Sequence, residues 1–375
     1  MPLLDTFISN KMPYPDEFEG FMINEIGKYT EFKKQTFKPK KFGDHNVDIK
    51  IECCGVCGSD VHTITGGWGD APMPICVGHE IVGKAVKVGS QVKDVKVGDR
   101  VGVGAQVWSC LKCGPCKSNN DNYCPNKVDT YGAPYPKEED PDETIAQGGY
   151  ASHIRAQDFM VFPIPESIPS HLAAPMLCAG LTVWNPLVRN NTGSGKHIAV
   201  VGLGGLGHFA VMFAAALGAE VTVISHSPNK KDDALKLGAK HFVSSTNKDW
   251  AKPLAFTFDF ILSTADVLDM EVLQDYLSTL KVDCKFHSVG LPDKSIDGLN
   301  PQHFMSNGCS IGSSHIGSRK ECLEMLKFAS EKKLYPRVET VPISEKGCAE
   351  VVERVNKNKV HYRFTLVDYD KAFGA

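Results

Sequence analysis

The run Cys57-Gly58-Ser59-Asp60-Val61-His62 places a thiol, a hydroxyl and an imidazole within six residues, and Gly78-His79-Glu80 adds a second imidazole and a carboxylate. Zinc binds thiolate sulfur and imidazole nitrogen, and a catalytic zinc keeps one position open for water or substrate. Cys57 and His79 would supply two ligands, so the third must come from a distant segment. Cys178, in Pro175-Met176-Leu177-Cys178-Ala179-Gly180, is the candidate. Each residue also has a plainer reading. A lone His79 would ordinarily be a hydrogen-bonded core histidine. Ser59 could cap a helix beginning near Asp60, since Ser and Asp favour that position. Cys54-Gly55-Val56-Cys57 has the spacing of a redox dithiol, but that chemistry expects a βαβ setting and this stretch looks β-rich.

A second metal signal is cleaner. Cys110-x₂-Cys113-x₂-Cys116-x₇-Cys124 puts four thiols in one short loop. Four sulfurs close a tetrahedron and leave no open position, which makes that zinc structural. An iron–sulfur cluster begins with the same spacing, but the C-x₃-C-P ending is missing. A nucleic-acid zinc finger would need a basic recognition helix, and none accompanies the loop.

The third signal is Gly202-Leu203-Gly204-Gly205-Leu206-Gly207. A lone G-x-G-x-x-G is weak. Here it follows an apolar strand over 196–201 and precedes a helix over 208–217, the setting in which glycines let backbone amides approach a pyrophosphate. The next strand, 221–224, ends in Ser225-His226-Ser227-Pro228-Asn229-Lys230-Lys231. An NAD enzyme places Asp or Glu there for the ribose 2′-hydroxyl. Glu220 is at the wrong end, roughly 16 Å away at about 3.3 Å per residue. Small hydroxyls beside a cation suit a 2′-phosphate, so the pattern predicts NADPH over NADH.

These groups need elements to hold them. Residues 47–52 alternate apolar and polar, the period of a half-buried strand, and glycine-broken valine runs follow at 81–89 and 97–103. They predict a compact, irregular β domain. Strands at 258–263 and 285–290, with helices between, predict a parallel sheet. Residues 320–332 read as an amphipathic helix, and the charge run 137–143 as a solvated loop.

Taken together, the Cys-Gly-Val-Cys-Gly-Ser-Asp run, Gly78-His79-Glu80, the four-cysteine lobe and the glycine turn resemble the zinc-dependent medium-chain alcohol dehydrogenases. The nearest subgroup is the NADP-dependent, cinnamyl-alcohol-dehydrogenase-like one, and the resemblance spans about residues 18–369. It implies an α/β protein with a GroES-like β-rich catalytic domain (1–170 and 311–375) and a Rossmann doubly wound parallel-sheet cofactor domain (171–310). It implies two zinc ions per chain. The catalytic one would sit on Cys57, His79 and Cys178, a Cys₂His set already known for alcohol dehydrogenase. Cys110, Cys113, Cys116 and Cys124 would hold the structural one. Cys54 would be a buried bystander. Asp60 and Glu80 would orient ligands, and Glu80 would bind zinc directly while the substrate position is empty.

By the same resemblance, Ser59 and His62 relay the alcohol proton by way of the nicotinamide ribose, and Trp68 lines the substrate pocket, although a packed Trp has a plain structural use. Thr182, Gly202, Gly204, Gly205, Leu206, Gly207, Ser225, His226, Ser227, Lys230, Val289, Ser313 and Arg363 would contact NADP(H), Arg363 at the pyrophosphate. The strand after about Cys309 would pair subunits into a homodimer. The implied reaction interconverts primary alcohols and aldehydes, aromatic such as cinnamaldehyde or medium aliphatic. Two alternatives stand beside it. One is an NAD-dependent polyol or short-chain alcohol dehydrogenase. The other is a catalytically idle NADPH-binding protein, against which Ser59 and His62 speak.

Composition bounds the rest. A length of 375 residues fits two domains, and a net charge of −3 argues against a nucleic-acid binder. No apolar run is long enough for a membrane span. Residues 1–11 lack the basic start and apolar core of an export signal. Thirteen cysteines, an odd number, point to metal ligands and reduced thiols, hence a cytoplasmic protein acting on a small-molecule substrate.

Overall fold

The computed structural model describes residues 14–267, 269–292 and 295–374; residues 1–11, read above for an export signal, lie outside them. Two sheets carry the architecture. The first has six parallel strands in the order His241–Ser244, Glu220–Ser225, His197–Val201, Phe258–Ser263, Leu280–Ser288, Ser310–Ser313. In chain order this is 3-2-1-4-5-6, the doubly wound arrangement that leaves a crevice beyond the carboxyl ends of the strands. His197–Val201 and Phe258–Ser263 are almost wholly buried, and their apolar runs do not alternate because helices cover both faces.

The helix Gly207–Ala216 is apolar all round for a related reason. It lies between this sheet and the helix Ala179–Arg189, where Trp184 meets Phe213 edge-on at 5.5 Å. Such a helix has no face for water and is a core element.

The second sheet runs Val338–Pro342, Arg363–Val367, Asn46–Val56, Glu80–Val88, Arg100–Val103, Val161–Pro163, with His153–Gln157 also on Asn46–Val56. Asn46–Val56 is its spine. The C-terminal strand Arg363–Val367 returns to pair antiparallel with it, opposite Cys54, Gly55 and Val56. The β domain is therefore discontinuous.

The expected boundary at 310/311 needs correcting. Ser310–Ser313 is the sixth strand of the parallel sheet. The helix Arg319–Lys332 buries Cys322, Met325 and Leu326 in the same core as Trp184 and Phe213. The chain returns to the β domain only after Lys332. The apolar face of that helix, buried in the core of the parallel-sheet domain, holds it there. The 137–143 run also differs from a wholly solvated loop. Asp140 is buried, and Glu139 pairs with the buried Lys40 at 2.6 Å.

Among the described residues, no helix is long and apolar enough to cross a membrane.

Candidate active site

Cys57 follows the spine strand directly and is the N-cap of the helix Gly58–Thr65; Cys178 is likewise the N-cap of Ala179–Arg189. A helix N-terminus presents partial positive charge, which favours thiolate over thiol. Residues 121 apart thus meet with their sulfurs 3.9 Å apart, and His79 Nε2 lies 3.1 Å from Cys178 Sγ. A tetrahedron with metal–sulfur bonds of about 2.3 Å has sulfur–sulfur edges of about 3.8 Å. The donor set therefore fits a zinc with one position left over.

Asp60 locks this arrangement. It is fully buried. One carboxylate oxygen accepts from the Cys57 amide at 2.9 Å; the other accepts from the Gly78 amide and lies against His79 Nδ1, both at 3.1 Å. The carboxylate holds Nδ1–H and turns Nε2 toward the sulfurs. The helix starts at Gly58, with Asp60 reciprocating at its third position, so Cys57 and not Ser59 occupies the cap. The Ser59 hydroxyl stays available, 3.6 Å from Cys57 Sγ.

Glu80 has a ligand atom within 4.8 Å of those of Cys57, His79 and Cys178. It pairs with Arg363, and its Oε2 is buried with no hydrogen-bond partner among the described residues. Burial pushes its carboxyl up to about 7 against the lowering pull of Arg363. The strand register puts Gly55 opposite Glu80, and a Cβ at Gly55 would fall 1.9 Å from Glu80 Oε2, so only glycine leaves room for the side chain.

Cys54 is fully buried, its Sγ directed to the Gly55 carbonyl at 3.3 Å, and burial raises its thiol well above the ordinary range. It is no redox partner for Cys57. None of the thirteen cysteines forms a disulfide. Cys110, Cys113, Cys116 and Cys124 bring their sulfurs within 4.8 Å of one another, which fits a closed four-sulfur zinc site.

A cleft of about 620 Å³ runs from these donors to the glycine turn. Ser59, His62, Trp68, Thr182, Gly204, Gly205, Leu206, Val289 and Arg363 line it together with Cys57, His79 and Cys178. His62 stacks on Trp68 with ring centroids 4.7 Å apart, so Trp68, nearly half exposed, serves the cleft wall and not a core.

At the turn Gly202 adopts φ 85°, and a Cβ on Gly207 would fall 2.2 Å from the Gly202 carbonyl oxygen. Gly204 faces open space, which leaves its backbone free to approach a pyrophosphate. Arg363 lies over Gly205 as well as Glu80, and its Nε is buried without a partner among the described residues. These features fit a dinucleotide.

At the end of Glu220–Ser225 there is no carboxylate. The Ser225 hydroxyl accepts from the Ser227 amide at 3.2 Å, His226 is exposed, and Lys230 Nζ donates to the Leu203 carbonyl at 2.8 Å, beside the glycine turn. Ser313 ends its strand exposed. Its neighbour Ser314 lines the cleft instead and hydrogen-bonds His287 at 3.0 Å.

The sequence reading missed Tyr131, whose ring packs on His79 at 5.6 Å, and Thr264, which lines the cleft and donates to the Val201 carbonyl beside Gly202. Neither lies in a motif. It also missed His208, buried on the Tyr362 ring at 5.1 Å with Nδ1 at the Gly205 carbonyl; burial holds its imidazole down, at about 3.

Residues 43–166 match the model of the alcohol dehydrogenase GroES-like domain, and residues 205–331 that of the zinc-binding dehydrogenase. The chain is 46% identical over 364 residues to NADP-dependent alcohol dehydrogenase 6 of Saccharomyces cerevisiae, covering 96% of this chain and 99% of that one. It is 40% identical over 332 residues to cinnamyl alcohol dehydrogenase 2 of Rauvolfia serpentina, covering 88% and 89%. Among solved structures, a cinnamyl alcohol dehydrogenase of Sorghum bicolor superposes with a TM-score of 0.87 at 36% identity, over 94% of this chain and 97% of that one. The Helicobacter pylori enzyme complexed with NADP(H) gives 0.85 at 33%, over 94% and 98%.

Proposed function

This chain belongs to the zinc-binding alcohol dehydrogenases with a GroES-like domain, and we propose that it works as a reductase of aromatic or medium aliphatic aldehydes in the cleft beside Cys57. It is an NADP-dependent alcohol oxidoreductase. The observation that carries the proposal is the single cleft in which the Cys57, His79 and Cys178 donors, Ser59, His62 and the glycine turn all meet.

When bound, zinc on Cys57, His79 and Cys178 acts as a Lewis acid on the substrate oxygen, and the nicotinamide supplies hydride. The protein does the rest. Asp60 fixes the His79 tautomer and the backbones of both ligand segments. Ser59 Oγ holds the proton that the reduced product gains, and the His62 imidazole supplies it from the cleft wall. Trp68 keeps that imidazole in place by stacking. Arg363 and the amides of the glycine turn bind the pyrophosphate, and Ser225, Ser227 and Lys230 take the 2′-phosphate. Glu80 neutralises Arg363 and stands ready as a fourth donor when no substrate is present. The four-cysteine lobe holds a second, structural zinc.

Among the described residues Ser310–Ser313 is an edge strand of the six-stranded sheet, a place where a second copy could pair, which supports a homodimer. Thirteen cysteines without a disulfide support a cytoplasmic setting.

Initial-rate reduction of cinnamaldehyde and of a medium aliphatic aldehyde, each with NADPH and with NADH, tests the reading. Turnover of either aldehyde with strong preference for NADPH supports it. Failure with both aldehydes contradicts it.

A further inference from the structure

At the end of the parallel sheet away from the cleft, three neighbouring strands begin side by side with His197, Glu220 and His241. His197 stands opposite Glu220 in register, and Thr222 opposite His241. Glu220 and Thr222 are two apart and point to one face, so all four side chains share it. His241 Nε2 lies 2.8 Å from Glu220 Oε1, and His197 Nε2 lies 4.0 Å from the same oxygen. One ligand atom of each of the three residues lies within 4.8 Å of the other two.

We infer that His197, Glu220 and His241 form a further divalent transition-metal site, of zinc type, separate from the cleft and from the four-cysteine lobe. Two imidazoles and a carboxylate are a zinc donor set that leaves a position for water. Imidazole selects zinc, nickel or copper over magnesium and calcium, which prefer all-oxygen sites. The geometry is partly built. His197 is only about one-fifth exposed, its ring edge-on against Phe258 at 4.9 Å, so its direction is fixed by the core. Its Nε2 lies 2.8 Å from Thr222 Oγ1, the contact that metal binding would replace. Glu220 and His241 are about half exposed and can turn toward the ion. Of the nearby lysines, Lys196 and Lys281 are engaged by Asp259, at 3.5 and 2.8 Å. An ion here would tie the starts of three strands together and stabilise the sheet without touching substrate.

The test uses the purified full-length protein, Glu220→Gln and His241→Asn, each equilibrated against a series of buffered free zinc concentrations. Zinc per chain is measured by atomic emission, with the zinc-induced change in melting temperature and aldehyde turnover alongside. The parent should take up one equivalent beyond that of either variant, and its melting temperature should rise with that uptake. Both variants should lose the equivalent and the rise while keeping turnover. Uptake equal in parent and variants, or no further equivalent in the parent, overturns the assignment. Glu220 is a surface side chain, so Glu220→Gln keeps the test decisive if His241→Asn folds poorly.

Discussion

Arg363 and Glu80, 283 residues apart, form an ion pair with both side chains buried. The pair ties the returning C-terminal strand to the strand that follows His79, and it sits between the metal donors and the glycine turn. Removing one partner of a buried pair leaves an uncompensated charge and costs about 3–5 kcal/mol. Arg363→Ala and Glu80→Ala should each lower the denaturant midpoint accordingly. The double replacement should cost less than the sum, because the two residues are in direct contact. Additive losses in chemical denaturation would show that the pair does not couple.

Asp60 accepts from two backbone amides and faces His79 Nδ1. Asparagine keeps the shape but turns one acceptor into a donor, so at least one of these partners is lost. Partners of metal-bound histidines are worth about 10–100-fold in metal affinity. Asp60→Asn should therefore lose zinc to a chelator at concentrations that spare the parent, with its circular dichroism unchanged. Equal zinc retention would refute the orienting role.

The four-cysteine lobe makes a prediction about stability alone. Folding and metal binding are coupled in such sites. The quadruple Cys→Ser variant at 110, 113, 116 and 124 should carry one zinc fewer and melt earlier. Parental melting with one zinc missing would remove the structural role.

For the cofactor, Ser225→Asp places a carboxylate where the strand now ends in a hydroxyl. It should repel the 2′-phosphate and shift the NADPH-to-NADH ratio of kcat/KM toward NADH by about tenfold or more, or about 1.4 kcal/mol. An unchanged ratio in initial-rate assays would mean that the 2′-phosphate lies elsewhere.

Glu321 gives a prediction in pH. Its buried carboxylate caps the helix Arg319–Lys332 and accepts from Ser318, Asn185 and Arg189. Despite burial, the pull of Arg189 and Ser318 holds it below the usual carboxylate range. A group whose folded value is depressed stabilises the protein above its unfolded value, and that stability is lost as pH falls through the folded one. Glu321→Gln should cost about 2 kcal/mol near neutrality. The gap to the parent should begin to narrow below about pH 4, near the unfolded glutamate value, and close only as pH falls through the lower folded value. Denaturation series at several pH values check this, and a gap constant down to low pH would contradict it.

Local order carried much of this structure into the sequence. The glycine turn is legible because strand, turn and helix are contiguous, and Gly207 answers a close approach to the Gly202 carbonyl. The four-cysteine lobe is legible because all its ligands fall within fifteen residues. Cys178 stands in the sequence as a candidate without a local signal, since nothing in its own neighbourhood announces a partner 121 residues away. The pairing of Arg363 with Glu80, the packing of Tyr131 on His79 and the stack of His62 on Trp68 depend on how separate segments close around the cleft. The boundary near 311 came from the resemblance alone, whereas the helix after it is bound to the parallel-sheet domain by its buried face, which only the fold shows. His197, Glu220 and His241 come from three strand starts, and only the parallel register brings them together.

The most direct test of the account is one preparation of Cys178→Ser, assayed for zinc per chain and for aldehyde reduction with NADPH, beside the parent. The variant should carry one zinc fewer, show no turnover, and keep the four-cysteine zinc in place. Turnover with the parental zinc content would contradict the assignment of Cys178, and with it the chemistry placed in the cleft.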